Sequence, residues 1–307
     1  MSTNQERRAE ARARLREQME SQARREKQLK IAAAAVVVVV LAGIVGVVVW
    51  NNLEQARAEE YAADWTSCEY PPATDSQEKV DPAEFEDQGE EIVAEAERYN
   101  EQIDEVEENK KFVDPPTGDQ ARRGTADITI TTGQGEIPVQ LDREGAPCNV
   151  ASFVHLTEQG FFDDSECHRL TVASPGAPLS VLQCGDPTGT GLSGPGYTIA
   201  DEPPTDLPTA EGGTGASVYP RGTVAMAKSQ APDSAGSQFF LVYEDSQLPP
   251  EYSVMGTIDE AGLEVLDEIA DAGVKSDDPS DPDNQVPAEE VVIETAELVG
   301  QQGLPEA

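Results

Sequence analysis

Apolar and polar residues alternate along "ADITITTGQGEIPVQL", residues 126–141, on both sides of the turn "TGQGE". A period of two puts one set of side chains on one face, so the stretch predicts a β-hairpin. The period then changes. In "APCNVASFVHLTEQG" Val150, Phe153, Val154 and Thr157 share one helical face, and Gly160 stops the helix. Short strands follow at "CHRLTV", "LSVLQCGD", "GTVAMAK", "SQFFLVY" and "YSVMGTI". A second helix, "GLEVLDEIADAG", again ends in Gly, and "AEEVVIETAELV" reads as a last strand. Many short strands, two helices and Gly/Pro-rich turns fit an antiparallel barrel or sandwich. A closed barrel is expected, because closure leaves no exposed strand edge.

Two earlier stretches have other patterns. Residues 31–50, "IAAAAVVVVVLAGIVGVVVW", contain no charged residue. As a helix this run is about 30 Å long, the thickness of a bilayer's hydrocarbon core, and predicts one transmembrane helix. The rival reading is a signal peptide cleaved at "ARA", 56–58, but the apolar run exceeds the length of a signal core. Further on, Ile92, Ala96, Tyr99, Ile103 and Val106 recur at spacings of four and three on an acidic helix near 82–110. The stripe lasts barely two heptads, so the expectation is a helix lying on the domain or spacing it from the membrane rather than a coiled-coil stalk.

Charge orients the chain. Residues 1–30 carry nine Lys and Arg against five Asp and Glu, and residues 51–307 carry twelve against fifty-four. The positive-inside tendency keeps the N-terminus cytoplasmic and places the acidic body outside. The expected organisation is a basic cytoplasmic segment (1–30), a single-pass span (31–50), an acidic extracytoplasmic connector (51–121), a globular domain (122–300) and a tail (301–307). Nucleic acid is excluded as a partner, since phosphate contacts need clustered Lys and Arg.

Cys68, Cys148, Cys167 and Cys184 all lie on the exported side, and an even count in an oxidising compartment favours two disulfides. Of three possible pairings, the neighbouring strands at Cys167 and Cys184 suggest Cys167–Cys184, leaving Cys68–Cys148. A zinc site from Cys167, His168 and Cys184 lacks the usual fourth ligand. The Gly-rich "GDPTGTGLSGPG" has no Lys after its last Gly and no helix pattern there, so it reads as a tight loop rather than a phosphate cradle. Gln238 and Phe240 share one face of their strand, an amide beside an apolar ring, which asks what the amide bonds.

The segments "FFDDSECHRL", "VLQCGDPTGTGLSGPG", "GTVAMAKSQAPDSAGSQFFLVY" and "YSVMGTIDEAGLEVLDEI", in that order, resemble a cyclophilin-type peptidyl-prolyl isomerase over about residues 122–300. The anchor, acidic connector and cysteine positions resemble membrane-anchored actinobacterial cyclophilins. The resemblance implies a closed eight-stranded antiparallel barrel capped by two helices, no cofactor and no metal. It implies a monomer that acts on proline-containing segments of exported proteins. Arg169 matches the catalytic position. Gln183 matches a glutamine that steadies it, and Gln238 one that bonds the substrate backbone. Phe240, Leu248 and Tyr252 match pocket-wall positions, and Met226, Ala227 and Lys228 the strand that holds the residue before proline. The usual pocket Phe falls on Ser180 and the following Met on Val181, so Leu179 or Leu182 is the candidate substitute. A proline-binding chaperone or scaffold without turnover is the alternative reading.

Overall fold

Alternation becomes pairing in β3 (Thr125–Thr132) and β4 (Gly135–Asp142), which align Ile128 with Val139 and Ile130 with Ile137. Alternate residues of β3 are buried, so one face of the hairpin enters a core and the other meets solvent. The structure, a computed structural model, describes residues 4–73, 78–173, 178–213, 215–275 and 285–305. It divides into two units, Met1–Ala62 and Ala63–Ala307.

The first unit holds most of helix α1 (Asn4–Asp64), whose last two residues belong to the second. The apolar run 31–50 lies inside this helix, which continues into charged residues on both sides. Among the described residues no helix is long and apolar enough to cross a membrane, so the expected transmembrane helix and single-helix membrane attachment are not supported. The side chains of residues 34–40 and 42 lie outside the described set.

The second unit opens with β1 (Trp65–Thr66), a 3-10 helix (Pro82–Gln88), α2 (Glu90–Asn109) and β2 (Gln120–Ala121). After the hairpin come α3 (Pro147–Glu158), β5 (Ser165–Glu166), β6 (Arg169–Thr171), β7 (Val181–Cys184), β8 (Ser217–Tyr219), β9 (Thr223–Met226) and β10 (Phe239–Val242). The chain continues through β11 (Ser246–Leu248), β12 (Val254–Ile258), α4 (Glu260–Ala272), β13 (Val274–Lys275), β14 (Val286–Pro287) and β15 (Val292–Gln302).

Nine strands form one curled sheet in the order β5-β15-β3-β4-β12-β9-β10-β7-β6. The closed eight-stranded barrel expected from the sequence is therefore corrected to an open sheet. Its two ends, β5 and β6, are consecutive in the chain and separated only by Cys167 and His168. These two residues belong to neither strand. The Cys167 N–H bonds the Val291 carbonyl at 2.8 Å, and the Leu170 N–H bonds the Gln285 carbonyl at 2.7 Å.

Inside the curl, Ile128, Ile130, Ile137, Val139 and Leu141 meet Phe153 of α3 and Phe239 of β10. The Phe153 ring lies 4.8 Å from Phe162 and 5.0 Å from Phe239, centroid to centroid, within the range favoured by aromatic pairs. The α3 N-terminus has no side-chain cap of its own. The Glu202 carboxylate accepts from the Cys148 and Asn149 N–H groups at 3.0 and 2.9 Å instead, negative charge meeting the positive end of the helix.

Residues 67–119 form a strap that leaves and returns at one point. Trp65 pairs with Ala121 and Thr66 with Gln120, and Arg123 pairs with Asp64 at 2.7 Å. Along its course Cys68 is disulfide-bonded to Cys148, and Tyr70 Oη donates to the Cys148 carbonyl at 3.0 Å. The second disulfide joins Cys167 to Cys184, so both expected pairs form. The Val113 N–H bonds the Pro195 carbonyl at 3.1 Å. The Phe112 ring lies flush on Gly196, where a Cβ would come within 2.7 Å of it. Gly196 also has φ of +93°, so a side chain there is excluded by both space and conformation.

Candidate functional site

Strand register places the site. Arg169 on β6 pairs with Gln183 on β7, Gln183 with Phe240 on β10, and Phe240 with Ala225 on β9. Ala225 pairs in turn with Val254 on β12. Directly opposed residues share a face of a sheet, so these five make one row across five strands. Their neighbours Leu170, Leu182, Leu241 and Val224 turn the other way, into the inner core. The row therefore lies on the outer face of the curl.

At one end of the row three polar side chains form a directed chain. Arg169 Nη1 donates to Gln183 Oε1 at 2.8 Å, and Gln183 Nε2 donates to Gln238 Oε1 at 2.9 Å. Gln238 Nε2 then donates to the Gly191 and Ser193 carbonyls at 2.9 and 3.1 Å. Hydrogen bonds aligned in one direction polarise one another. Both amide N–H groups of Gln238 are thereby given to the loop, and its carbonyl oxygen faces Gln183 and the His168 ring.

The loop behind Gln238 is set by Asp186. Its carboxylate accepts from the Thr188 and Ser193 N–H groups at 2.8 and 3.1 Å and from Thr190 Oγ1 at 3.3 Å. Donors that would face a phosphate in a nucleotide-binding loop are turned inward onto this carboxylate, in line with a tight loop.

The other end of the row is apolar. Phe240, Ala225, Val181, Val242 and Tyr219 form a second buried cluster, with Leu179, Ala227, Leu248, Tyr252 and Val254 packed against it. Phe240 is 4 % exposed, and the Tyr252 ring meets it edge-on at 5.6 Å. Burial pushes the Tyr219 phenol up to about 12, so it stays neutral and donates to the carbonyls of Pro249 and Tyr252 at 3.2 and 3.1 Å. Those bonds fix the segment that carries Leu248 and Tyr252.

The structure thus brings Arg169, Gln183, Val181, Ala227, Gln238, Phe240, Leu248 and Tyr252 to one face. Met226 is different: it is 1 % exposed and belongs to the inner core, so its side chain does not face the groove. Strand alternation explains this, and it also reveals Ala225, which sequence reasoning missed, as the residue in the row. The Lys228 ammonium pairs with Asp201 at 2.6 Å. That hydrogen bond raises its pKa. Of the two candidates near Ser180, Leu179 packs on the Phe240 cluster and Leu182 faces the inner core.

His168, beside Arg169, packs its ring against Gly191, where an added Cβ would lie 3.2 Å from it. Burial holds the imidazole below its ordinary value; the Asp186 charge opposes this shift and Arg169 adds to it. An unfolded histidine takes its proton near pH 6.5. Between that pH and the lower folded value, the unfolded chain binds more protons, so stability falls as pH drops through 6.5 and levels off once the folded imidazole titrates. Melting temperatures of the full chain at pH 7.5 and 5.5 should fall further for wild type than for His168→Gln. Parallel decreases in the two proteins would assign the acid sensitivity to other groups.

Residues 127–298 match the family described as cyclophilin type peptidyl-prolyl cis-trans isomerase/CLD. The chain is 46 % identical over 200 residues to the probable peptidyl-prolyl cis-trans isomerase B of Mycobacterium leprae, covering 60 % of this chain and 65 % of that protein. It is 50 % identical over 149 residues to the Mycobacterium tuberculosis protein of the same description, covering 48 % and 47 %. The chain thus spans less than two thirds of the length of these curated relatives. A solved cyclophilin type isomerase of Cryptosporidium parvum is 24 % identical, covers 57 % of this chain and 98 % of its own, and gives a TM-score of 0.45. With more than half of the chain matched, and with the matched region carrying the whole row from Arg169 to Val254, this protein belongs to the cyclophilin-type peptidyl-prolyl isomerase family.

Proposed function

We propose that the chain is a peptidyl-prolyl cis-trans isomerase in which Arg169 stabilises the twisted X–Pro amide. The observation that carries this reading is the hydrogen-bonded chain Arg169–Gln183–Gln238 running beside the apolar Phe240 cluster on one outer face. Amide resonance gives the X–Pro bond a rotational barrier of about 18–20 kcal/mol. At the twisted state the prolyl nitrogen regains a lone pair and accepts a hydrogen bond that the planar states cannot accept. A guanidinium aimed there favours the twisted state selectively, which is the requirement for catalysis. Arg suits the task because it stays charged and presents donors in a rigid fork. The apolar cluster grips the pyrrolidine ring, and Gln238 accepts from the peptide backbone.

The substrates are proline-containing segments of exported proteins, and the globular unit works outside the cytoplasm. Two disulfides support that compartment, as does the excess of acidic residues after residue 50. The test is isomerisation of a short X–Pro peptide by the full-length oxidised chain. Acceleration over the uncatalysed rate is expected. Peptide binding without acceleration would establish the scaffold reading instead.

A further inference from the structure

A cavity of about 470 Å³ opens beside the directed chain of side chains, and its two walls come from different parts of the molecule. Gln183, Ala227 and Gln238 line it from the sheet. Ile103, Val106 and Phe112 line it from the strap, together with the Glu107–Lys110 pair. The strap is not adventitiously placed there. Phe112 is seated on Gly196, and Asn100 holds the Val80 backbone at both its N–H (2.9 Å) and its carbonyl (2.8 Å), which fixes the course of α2.

We propose that α2 and Phe112 are specificity-determining elements for the isomerase, selecting an apolar side chain on the peptide close to the prolyl bond. The proposal rests on the isomerase reading above. A peptide with its proline over Phe240 and its amide at Arg169 must pass Gln238 on one side, and on that side the cavity is the space open to its next side chains. The strap wall there is Ile103, 5 % exposed, with Val106 and the Phe112 ring. The charges at the cavity are mutually matched: Glu107 with Lys110 at 2.7 Å, and Lys228 with Asp201 at 2.6 Å. A charged substrate side chain entering here loses water and must disrupt an existing pair to find a partner, whereas an apolar one gains contact. Specificity then depends on a segment that lies outside the sheet and outside the family match at residues 127–298.

The experiment uses the full-length oxidised chain and labelled X–Pro peptides with Leu, Glu or Lys two residues before or two residues after the proline. Rates and affinities are both read. Wild type should favour Leu over Glu and Lys about tenfold at one of the two positions. At that same position Val106→Glu should raise the Lys-to-Glu ratio about tenfold, and Val106→Lys should lower it equally. Glu95→Gln removes a charge from an exposed position of α2 about three turns away and should leave the ratio unmoved. Ratios unaffected by Val106, or shifted as much by Glu95→Gln, would overturn the proposal. Absent turnover with the Val106-dependent affinities intact would remove the isomerase reading and keep the wall. Melting curves of each variant confirm that the strap remains folded.

Discussion

Arg169→Ala should lower kcat/KM by about 10²–10³-fold, the cost of removing one preorganised donor aimed at charge that develops in the transition state. Peptide affinity should change little, because the ground-state amide gives the guanidinium almost nothing to bond. The size of the expected loss follows from how tightly this side chain is positioned. Arg169 stands in register with Gln183, and Gln183 holds its Nη1 at 2.8 Å from one amide oxygen while being held in turn by Gln238. Arg169→Lys keeps a charge but loses the planar fork, so an intermediate rate is expected. Stability should move by no more than about 1 kcal/mol, the net value of an ordinary hydrogen bond. Stopped-flow isomerisation kinetics and thermal melts of both variants separate these effects. A wild-type rate in Arg169→Ala would take Arg169 out of the mechanism and leave the groove as a binding surface.

Period two fixes faces, so the residue pattern put Gln238 beside Phe240, while Arg169 and Gln183 were singled out only by the family resemblance. Two residues apart, Gln238 and Phe240 had to share a side of the extended chain entering β10, and the Arg169, Gln183 and Phe240 segments all read as strands. The same rule, applied to "GTVAMAK", puts Ala225 and Ala227 on one face and Met226 on the other, and the burial of Met226 in the inner core obeys it. Two features resisted. The sheet's two ends meet at Cys167 and His168, which belong to no strand, and nothing in "CHRLTV" distinguishes a strand from a strand that begins two residues late. The helix stripe at Ile103 and Val106 announced a covered face, but amphipathicity says only that a face is covered and never by what. Here the cover includes a cavity shared with Gln183 and Gln238, reached through chain folding of a strap whose turn residues carry no address. The apolar run 31–50 lies inside α1, Asn4 to Asp64, and among the described residues no helix is long and apolar enough to cross a membrane.

Removing the Cys68–Cys148 disulfide, as Cys68→Ala with Cys148→Ala, should destabilise the globular unit by about 4–5 kcal/mol while leaving turnover nearly intact. The two cysteines are 80 residues apart, so the bridge closes a long loop, and in the chain-entropy account long loops lose the most freedom in the unfolded state. The native strap has other ties that survive the change: the β1–β2 pairing at its base, the Val113–Pro195 bond, and Phe112 on Gly196. Most of the loss therefore belongs to the unfolded chain rather than to displaced native contacts. At about 2–4 °C per kcal/mol for a unit of this size, the melting temperature should fall by roughly 8–20 °C. Turnover depends on β6, β7 and β10, which the second disulfide ties at Cys167 and Cys184 next to the row itself. Calorimetric melts and peptide isomerisation rates on the same samples decide the matter. A lost rate at temperatures where the variant is still folded would show that the strap tether reaches the Arg169–Gln183 pair. A melting temperature within a degree or two of wild type would show that the strap's remaining ties already restrict the chain before it folds.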